Sequence, residues 1–99
     1  MMNAPYKIYQ IKDIANCDYA FRDFDKNKFN MNDYELIYSS DFFSESFMSD
    51  MEILEDLYYL FNINIPIDFE GRSLSISDIV EINNTKYYCG HIGWEPINI

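Results

Sequence analysis

Residues 71–91 read GRSLSISDIVEINNTKYYCGH, and this stretch predicts a C-terminal antiparallel pair of strands. Apolar and polar residues alternate on both sides of Ser77–Asp78, which interrupts the pattern. Because strand side chains point to alternate faces, the interruption indicates a turn or a bulge there. Asn83-Asn84-Thr85 has the composition of a hairpin turn, leading into a strand over Lys86–His91. A short last strand is expected around Trp94.

The segment before this hairpin predicts the main helix. Ser49 and Glu52 have the spacing of a capping box, in which each side chain binds the backbone of the other residue. Apolar residues follow at intervals of three and four, the pattern of one buried helix face. They are Ile53, Leu54, Leu57, Tyr58 and Phe61. The helix is expected to end near Asn62, ahead of the turn at Pro66.

The N-terminal third predicts two more strands and a short helix. Alternation over Tyr6–Lys12 and over Tyr34–Tyr38 is typical of half-buried strands. Between them, Asp13 or Asn16 could cap a short helix through Ala20 to Phe24. The resulting order of elements predicts an α+β fold. In it, a small antiparallel sheet with a C-terminal hairpin packs against one main and one short helix.

Composition indicates one globular domain over residues 1–99. Apolar residues make up 48% of the 99 residues, enough for a single core. No signal-peptide pattern and no run of membrane-spanning length is found, which predicts a soluble protein of the bacterial cytoplasm. Cys17 and Cys89 are then expected as thiols, since a disulfide needs an oxidising compartment.

The negative charge is concentrated in one segment. From Phe29 to Gly71 there are ten acidic residues and no Lys or Arg, whereas the rest of the chain has seven of each sign. The acids are Asp33, Glu35, Asp41, Glu45, Asp50, Glu52, Glu55, Asp56, Asp68 and Glu70. Such a segment repels nucleic acid and anionic membranes and attracts basic protein surfaces.

Motifs for metal binding or catalysis are incomplete. Asp23, Asp25 and Asn27 resemble the start of a calcium loop, but Lys28 replaces the glycine of that loop and Tyr34 its bidentate glutamate. A polar turn is therefore predicted there, and neither a metal nor a cofactor.

Cysteine chemistry is not predicted either. Cys89 and His91 would share a face of one strand, but no third group is at hand to orient the histidine. Phosphate-binding glycine loops and basic patches are also missing from the sequence. We therefore predict a protein that is not an enzyme.

Several segments together resemble the YodL-like domain. The most specific is GRSLSISDIV within PIDFEGRSLSISDIVEINNTKYYCGHIGW, and YKIYQIK, YAFRDFD, NDYELIY and LEDLYYLFN add patterning. The likeness spans roughly Pro5 to Trp94. The resemblance implies a small module of bacterial mobile elements, often found in polyvalent proteins beside anti-restriction and DNA-processing modules. It implies no catalytic residue.

Charge placement and this setting together predict an acidic inhibitor. It would belong to a phage or mobile element and present phosphate-like charge to a basic host defence protein, as anti-CRISPR and anti-restriction proteins of this type do. Phe42, Phe43, Phe47 and Met48 are expected in an aromatic-acidic loop that runs up to Met48. The proposed partner-binding residues are Asp41, Glu45, Asp50, Glu52, Glu55, Asp56, Phe43 and Phe47.

An adaptor or regulatory module is the alternative. It would hold a larger assembly through the C-terminal hairpin and the GRSLSISD edge, where Asp78 is expected to close a turn through its side chain. This alternative partner surface comprises Arg72, Ser75, Ser77, Asp78 and Trp94. Homo-oligomers are compatible with either hypothesis.

Overall fold

The computed structural model describes residues 1–98 and has the expected α+β architecture. Its elements are β1 (Met2–Ile11), β2 (Tyr34–Ser44), α1 (Asp50–Ile63), β3 (Ile79–Ile82), β4 (Thr85–Cys89) and β5 (Trp94–Ile97). The five strands form one open sheet in the order β2-β1-β3-β4-β5, and every neighbouring pair is antiparallel. The N-terminal strand thus lies inside the sheet, and β2 and β5 are its two edges.

The main core lies between α1 and one face of the sheet. Side chains from β1, α1, β3 and β4 are buried together in this layer because the alternation of each strand and the 3–4 spacing of the helix point them at one another. The main contributors are Ala4, Tyr6, Ile8, Ile53, Leu54, Leu57, Phe61, Val80, Ile82 and Tyr87. Tyr58, which was expected in the same stripe, lies partly exposed at its margin.

The opposite face of the sheet is covered by the connection between β1 and β2. A second cluster, rich in aromatic rings, forms there from Ile11, Tyr19, Tyr34, Ile79, Tyr88 and Ile97, with Phe24 and Phe29 packed on it. Tyr88 donates a hydrogen bond to the Arg22 carbonyl at 2.7 Å, and Tyr34 donates one to the Ser77 carbonyl at 2.6 Å. These buried hydroxyls fix a connection that has little regular structure.

The prediction of a short helix through Ala20 to Phe24 is wrong, because the structure has no α-helix there. The connection contains only two 3-10 helices, Ile14–Asn16 and Met31–Asp33, and Asp13 makes no capping hydrogen bond. Phe21 has a φ of 63°, which no right-handed helix contains. Its amide donates instead to the Ser77 hydroxyl at 2.9 Å, so a tertiary contact replaces the helical hydrogen bond.

The C-terminal hairpin is confirmed. Asn83 and Asn84 have φ values of 48° and 72° between β3 and β4, the geometry of a two-residue type I′ turn that asparagine tolerates. The strand β4 begins one residue before the predicted range and ends at Cys89. His91 therefore lies outside the strand, and it does not share a strand face with Cys89.

The interruption at Ser77–Asp78 is a turn, as predicted. Ser77 has a φ of 79°, and the Asp78 amide donates to the Ser75 carbonyl at 3.0 Å. The Asp78 carboxylate closes the turn by accepting from the Ser75 amide at 2.8 Å and from the side-chain amide of Gln10 at 3.1 Å. The Asp78 carbonyl also accepts from the Cys89 amide, so this residue holds β1, β4 and the turn together.

The side-chain carboxamide of Gln10 makes the pair of hydrogen bonds that a neighbouring strand would make with its backbone. Its amide nitrogen donates to the Arg72 carbonyl at 2.9 Å, and its oxygen accepts from the Arg72 amide at 3.1 Å. A Cβ on Gly71 would lie 2.6 Å from both the Gln10 oxygen and an Ile37 methyl carbon, so only glycine allows this approach. The close packing around Gly71 and the backbone hydrogen bonds of Arg72 therefore give this dipeptide of the GRSLSISD segment a structural role.

The buried Asp78 carboxyl should make stability depend on pH. Burial raises its pKa to about 6 from an ordinary value of 3.8, against the opposing effect of its hydrogen bonds. Between these values the folded chain keeps a proton that the unfolded chain has lost, so this residue stabilises the fold less as pH rises. Relative to Asp78→Asn, the wild type should lose about 2 kcal/mol of unfolding free energy between about pH 4 and pH 6.5.

Urea unfolding of the wild type and of Asp78→Asn across this pH range measures the effect. The difference between the two proteins removes the contributions of the other carboxylates. A difference that stays constant with pH would contradict the role assigned to the buried carboxyl.

Candidate interaction surface

The exposed side of α1 carries an acidic stripe. The capping box is confirmed: Ser49 accepts from the Glu52 amide, and the Glu52 carboxylate accepts from the Ser49 amide at 3.0 Å. Glu52, Glu55 and Asp56 lie three and four residues apart, so they share one side of the helix, and all three are exposed. The hydrogen bonds from Ser49 lower the pKa of Glu52, so its charge persists into mildly acidic solution.

Asp50 does not belong to this stripe. It lies three and four residues before Ile53 and Leu54, both fully buried, and so faces the side of the helix that packs on the sheet. Tyr87 of β4 donates a hydrogen bond to its carboxylate at 2.5 Å. The carboxylate therefore connects the helix N-terminus to the sheet, and Asp50 does not share the exposed side of α1 with the other helix acids. Its place among the partner-binding residues stays a prediction.

The aromatic-acidic loop predicted up to Met48 is also wrong over its first half. That half is strand, because β2 continues to Ser44, six residues beyond the predicted end. Its register with β1 pairs Phe42 with Ala4 on the helix side of the sheet and places Asp41 and Phe43 on the opposite side. Only the connection of residues 45–49, which contains Glu45 and Phe47, is a loop.

Orientation in β2 decides which aromatic rings are exposed. Phe42 and Met48 pack against the main core. Phe43 is 66% exposed and Phe47 is 81% exposed. The acids Asp41 and Glu45 lie beside them in the sequence and are exposed as well. Two apolar rings thus lie among acidic side chains, an arrangement that offers apolar anchors within a charged rim.

Further exposed apolar residues continue the acidic stripe along α1. Tyr59 and Ile63 follow Asp56 at intervals of three and four residues and are 64% and 67% exposed. Sequence reasoning missed both. The signal was present, because both residues fall outside the buried 3–4 pattern of Ile53, Leu57 and Phe61.

The alternative surface divides into Ser77 and Asp78, which lie inside the protein, and Arg72, Ser75 and Trp94, which are partly exposed. Ser77 and Asp78 are buried and hydrogen-bonded within the chain, so they offer nothing to a partner. The Arg72 guanidinium lies over the Phe21 ring and donates to the Ile11 carbonyl at 3.4 Å. Trp94 is partly exposed and packs edge-on against Tyr58, with ring centroids 6.4 Å apart.

The residues considered for metal binding or catalysis have structural partners. The Asp23 carboxylate accepts from the His91 amide, and burial raises the pKa of the Cys89 thiol to about 12, which disfavours the thiolate. Cys17 and Cys89 are both free thiols. Within residues 1–98, no group of three His, Cys, Asp or Glu side chains could hold a metal ion. Over the same residues, no helix has the length and hydropathy needed to cross a membrane.

Comparison with known families agrees with the resemblance seen in the sequence. The family model of the YodL-like domain matches residues 5–99, nearly the whole chain. The chain belongs to the YodL-like domain family. Comparisons with curated proteins and with solved structures gave no significant match. In this YodL-like domain the GRSLSISDIV segment contributes the Gly71 contact with Gln10 and the Asp78 turn, which are structural.

The two exposed phenylalanines should be removable without loss of stability. Phe43→Ser and Phe47→Ser should each change the free energy of unfolding by less than about 0.5 kcal/mol, because neither ring is buried. Phe42→Ser, the matched variant in the same strand, should cost about 2 kcal/mol because its ring packs on the core. Urea denaturation checks this ranking. A large loss in the Phe43 variant would mean that its ring packs against the protein.

Proposed function

We propose that this YodL-like domain is a non-enzymatic inhibitor from a phage or mobile element. It binds a basic, nucleic-acid-binding protein of host defence and blocks its groove, in the manner of an anti-CRISPR or anti-restriction protein. The observation that carries the proposal is the exposed acidic surface of α1 and β2, which comes from a segment without any Lys or Arg. Ordinary exposed helices carry pairs of opposite charge at this spacing, and α1 carries none.

The spacing of the helix acids supports charge mimicry of a nucleic acid. Glu52, Glu55 and Asp56 span about 6 Å of helix axis at the usual rise per residue. Their mean separation along the axis is therefore near the value of about 3.4 Å between phosphates of one DNA strand. Because Asp50 is turned towards Tyr87, it adds no charge to the stripe. The spacing of charges along the stripe therefore resembles that of one DNA strand rather than that of both strands of a duplex.

Binding would occlude the partner's groove without any chemical step. The acidic residues would steer the approach, since long-range attraction between opposite charges raises the association rate. Phe43 and Phe47 would then supply apolar contact area, which charges alone lack. Both contributions leave the fold unchanged, because none of these side chains belongs to the core.

Neutralising the stripe should weaken binding. Immobilised wild type should capture nucleic-acid-binding proteins from a bacterial lysate at low salt, and added duplex DNA should compete with them. The triple variant Glu52→Gln, Glu55→Gln and Asp56→Asn should capture about tenfold less, as the loss of about 1.4 kcal/mol would give. Glutamine at position 52 preserves the capping box. Mass spectrometry of the captured proteins provides the measurement.

The matched control removes the same charge from elsewhere on the surface. Asp13→Asn, Asp18→Asn and Glu95→Gln change three exposed acids outside the segment of Phe29 to Gly71. This control should capture partners as the wild type does. Equal loss in both triple variants would show an effect of net charge alone and contradict the proposed site.

The adaptor function remains as a second candidate because of Trp94. Its ring lies partly exposed at the junction of α1 and β5, next to Tyr58, where an assembly partner could contact both elements. If the adaptor proposal holds, Trp94→Ala or Arg72→Ala should abolish capture, and neutralising the helix acids should not. The same pull-down separates the two functions.

A further inference from the structure

The two edges of the sheet differ in their capacity to pair with another strand. At one edge, β5 has four residues and contains Pro96, which has no amide hydrogen to donate. At the other edge, β2 has eleven residues and no proline. A strand that long, with one side unpaired, is a template for strand addition.

The backbone of β2 directs specific groups away from the sheet. The Pro5 carbonyl of β1 accepts from the Asn83 amide, which belongs to the β3 side of β1. Pro5 therefore does not exchange hydrogen bonds with Asp41, its partner in register on β2. The amide and carbonyl of Asp41 then point outward, and by the two-residue period so do those of Ser39 and Phe43.

Within residues 1–98, no loop covers these groups. The hydrogen bonds outside helices and strands include none from the amides of Ser39, Asp41 or Phe43. The register of β2 shifts once, near Ile37, so the regular part of the edge runs from Tyr38 to Ser44. This length suits an added strand of about six residues.

The charge of the edge determines which strand can be added. Glu35, Asp41 and Glu45 lie in or next to β2, which contains no base, and Lys7 of the neighbouring strand β1 pairs in register with Ser39. A second copy of the chain would bring the same acids and a net charge of −10 against this edge. A Lys- or Arg-rich segment is attracted instead. Leu36 and Phe43 both lie on the outer face of β2, the face opposite α1, and both are exposed. Aliphatic side chains of the partner therefore have a surface to contact.

We propose that the free edge of β2 binds an extended, basic segment of a partner protein as an added strand. The partner segment is rich in Lys or Arg and contains aliphatic residues that contact Leu36 and Phe43. This inference rests on the proposed function, whose basic partner it describes more closely, but it assigns a different part of the surface. Main-chain hydrogen bonds hold the segment, and the acidic side chains select its charge.

A synthetic peptide tests the inference directly. The probe is a nine-residue peptide of alternating Lys and Val, added to the isotope-labelled full chain. Hydrogen exchange followed by NMR should show slower exchange at the amides of Ser39, Asp41 and Phe43, and unchanged exchange in β5. Two control peptides should fail to protect these amides: one with Glu in place of each Lys, and one methylated at every backbone nitrogen, which keeps the charge but has no amide hydrogen to pair.

A matched pair of variants tests the same edge from the side of the chain. Ser39→Pro removes one outward amide, and we expect the peptide affinity to fall at least about tenfold. Ser39→Ala keeps the amide and should bind as the wild type does. Proline is tolerated on an edge strand where the amide faces solvent, and a thermal melt verifies folding.

Several outcomes would overturn the inference. Binding of the N-methylated peptide as tightly as the Lys-Val peptide would mean attraction by charge alone. Equal affinity of Ser39→Pro and Ser39→Ala would place the peptide elsewhere, and protection of β2 by self-association without peptide would assign the edge to a second copy. These failures are distinct from failure of the proposed function, which is measured by lysate capture with the helix-acid variants.

Discussion

The fold depends on one buried carboxamide. The side chain of Gln10 is 2% exposed and bonds to both backbone groups of Arg72 and to the Asp78 carboxylate. It thereby joins β1 to the irregular segment between α1 and β3, where no strand pairing is available. A buried amide of this kind is stable only when its donors and its acceptor are satisfied, so the position of the segment follows from a few hydrogen bonds. The small residues of GRSLSISD fit this requirement.

The regular elements were predictable because their signals are local. The capping box of Ser49 and Glu52 and the apolar period behind it determine α1, and the asparagine pair determines the β3–β4 turn. The connection between β1 and β2 was not predictable, since its shape comes from long-range contacts such as those of Tyr34 and Phe21 with Ser77. Contacts between residues so far apart in the sequence leave no periodic pattern from which they could be predicted.

The candidate surface was predicted in part, for a similar reason. Composition located the acidic segment, but only the structure separates its members by orientation. Asp50 lies towards the sheet, Phe42 lies towards the helix, and Phe43 lies on the outer face because β2 continues where a loop was expected. A one-residue difference in a strand decides whether a ring belongs to the core or to the surface. The charged surface therefore consists of a helix face and a strand edge.

The aromatic cluster opposite α1 has a consequence for the behaviour of the protein in alkaline solution. Tyr19, Tyr34 and Tyr88 are buried there with their hydroxyls hydrogen-bonded, and burial raises the pKa of each phenol above its usual value of 10. The unfolded chain ionises these phenols at lower pH than the folded chain, so unfolding releases protons once the solution approaches that value. The tyrosines that stabilise the fold at neutral pH thus promote its unfolding by base, through phenolates that the interior cannot solvate.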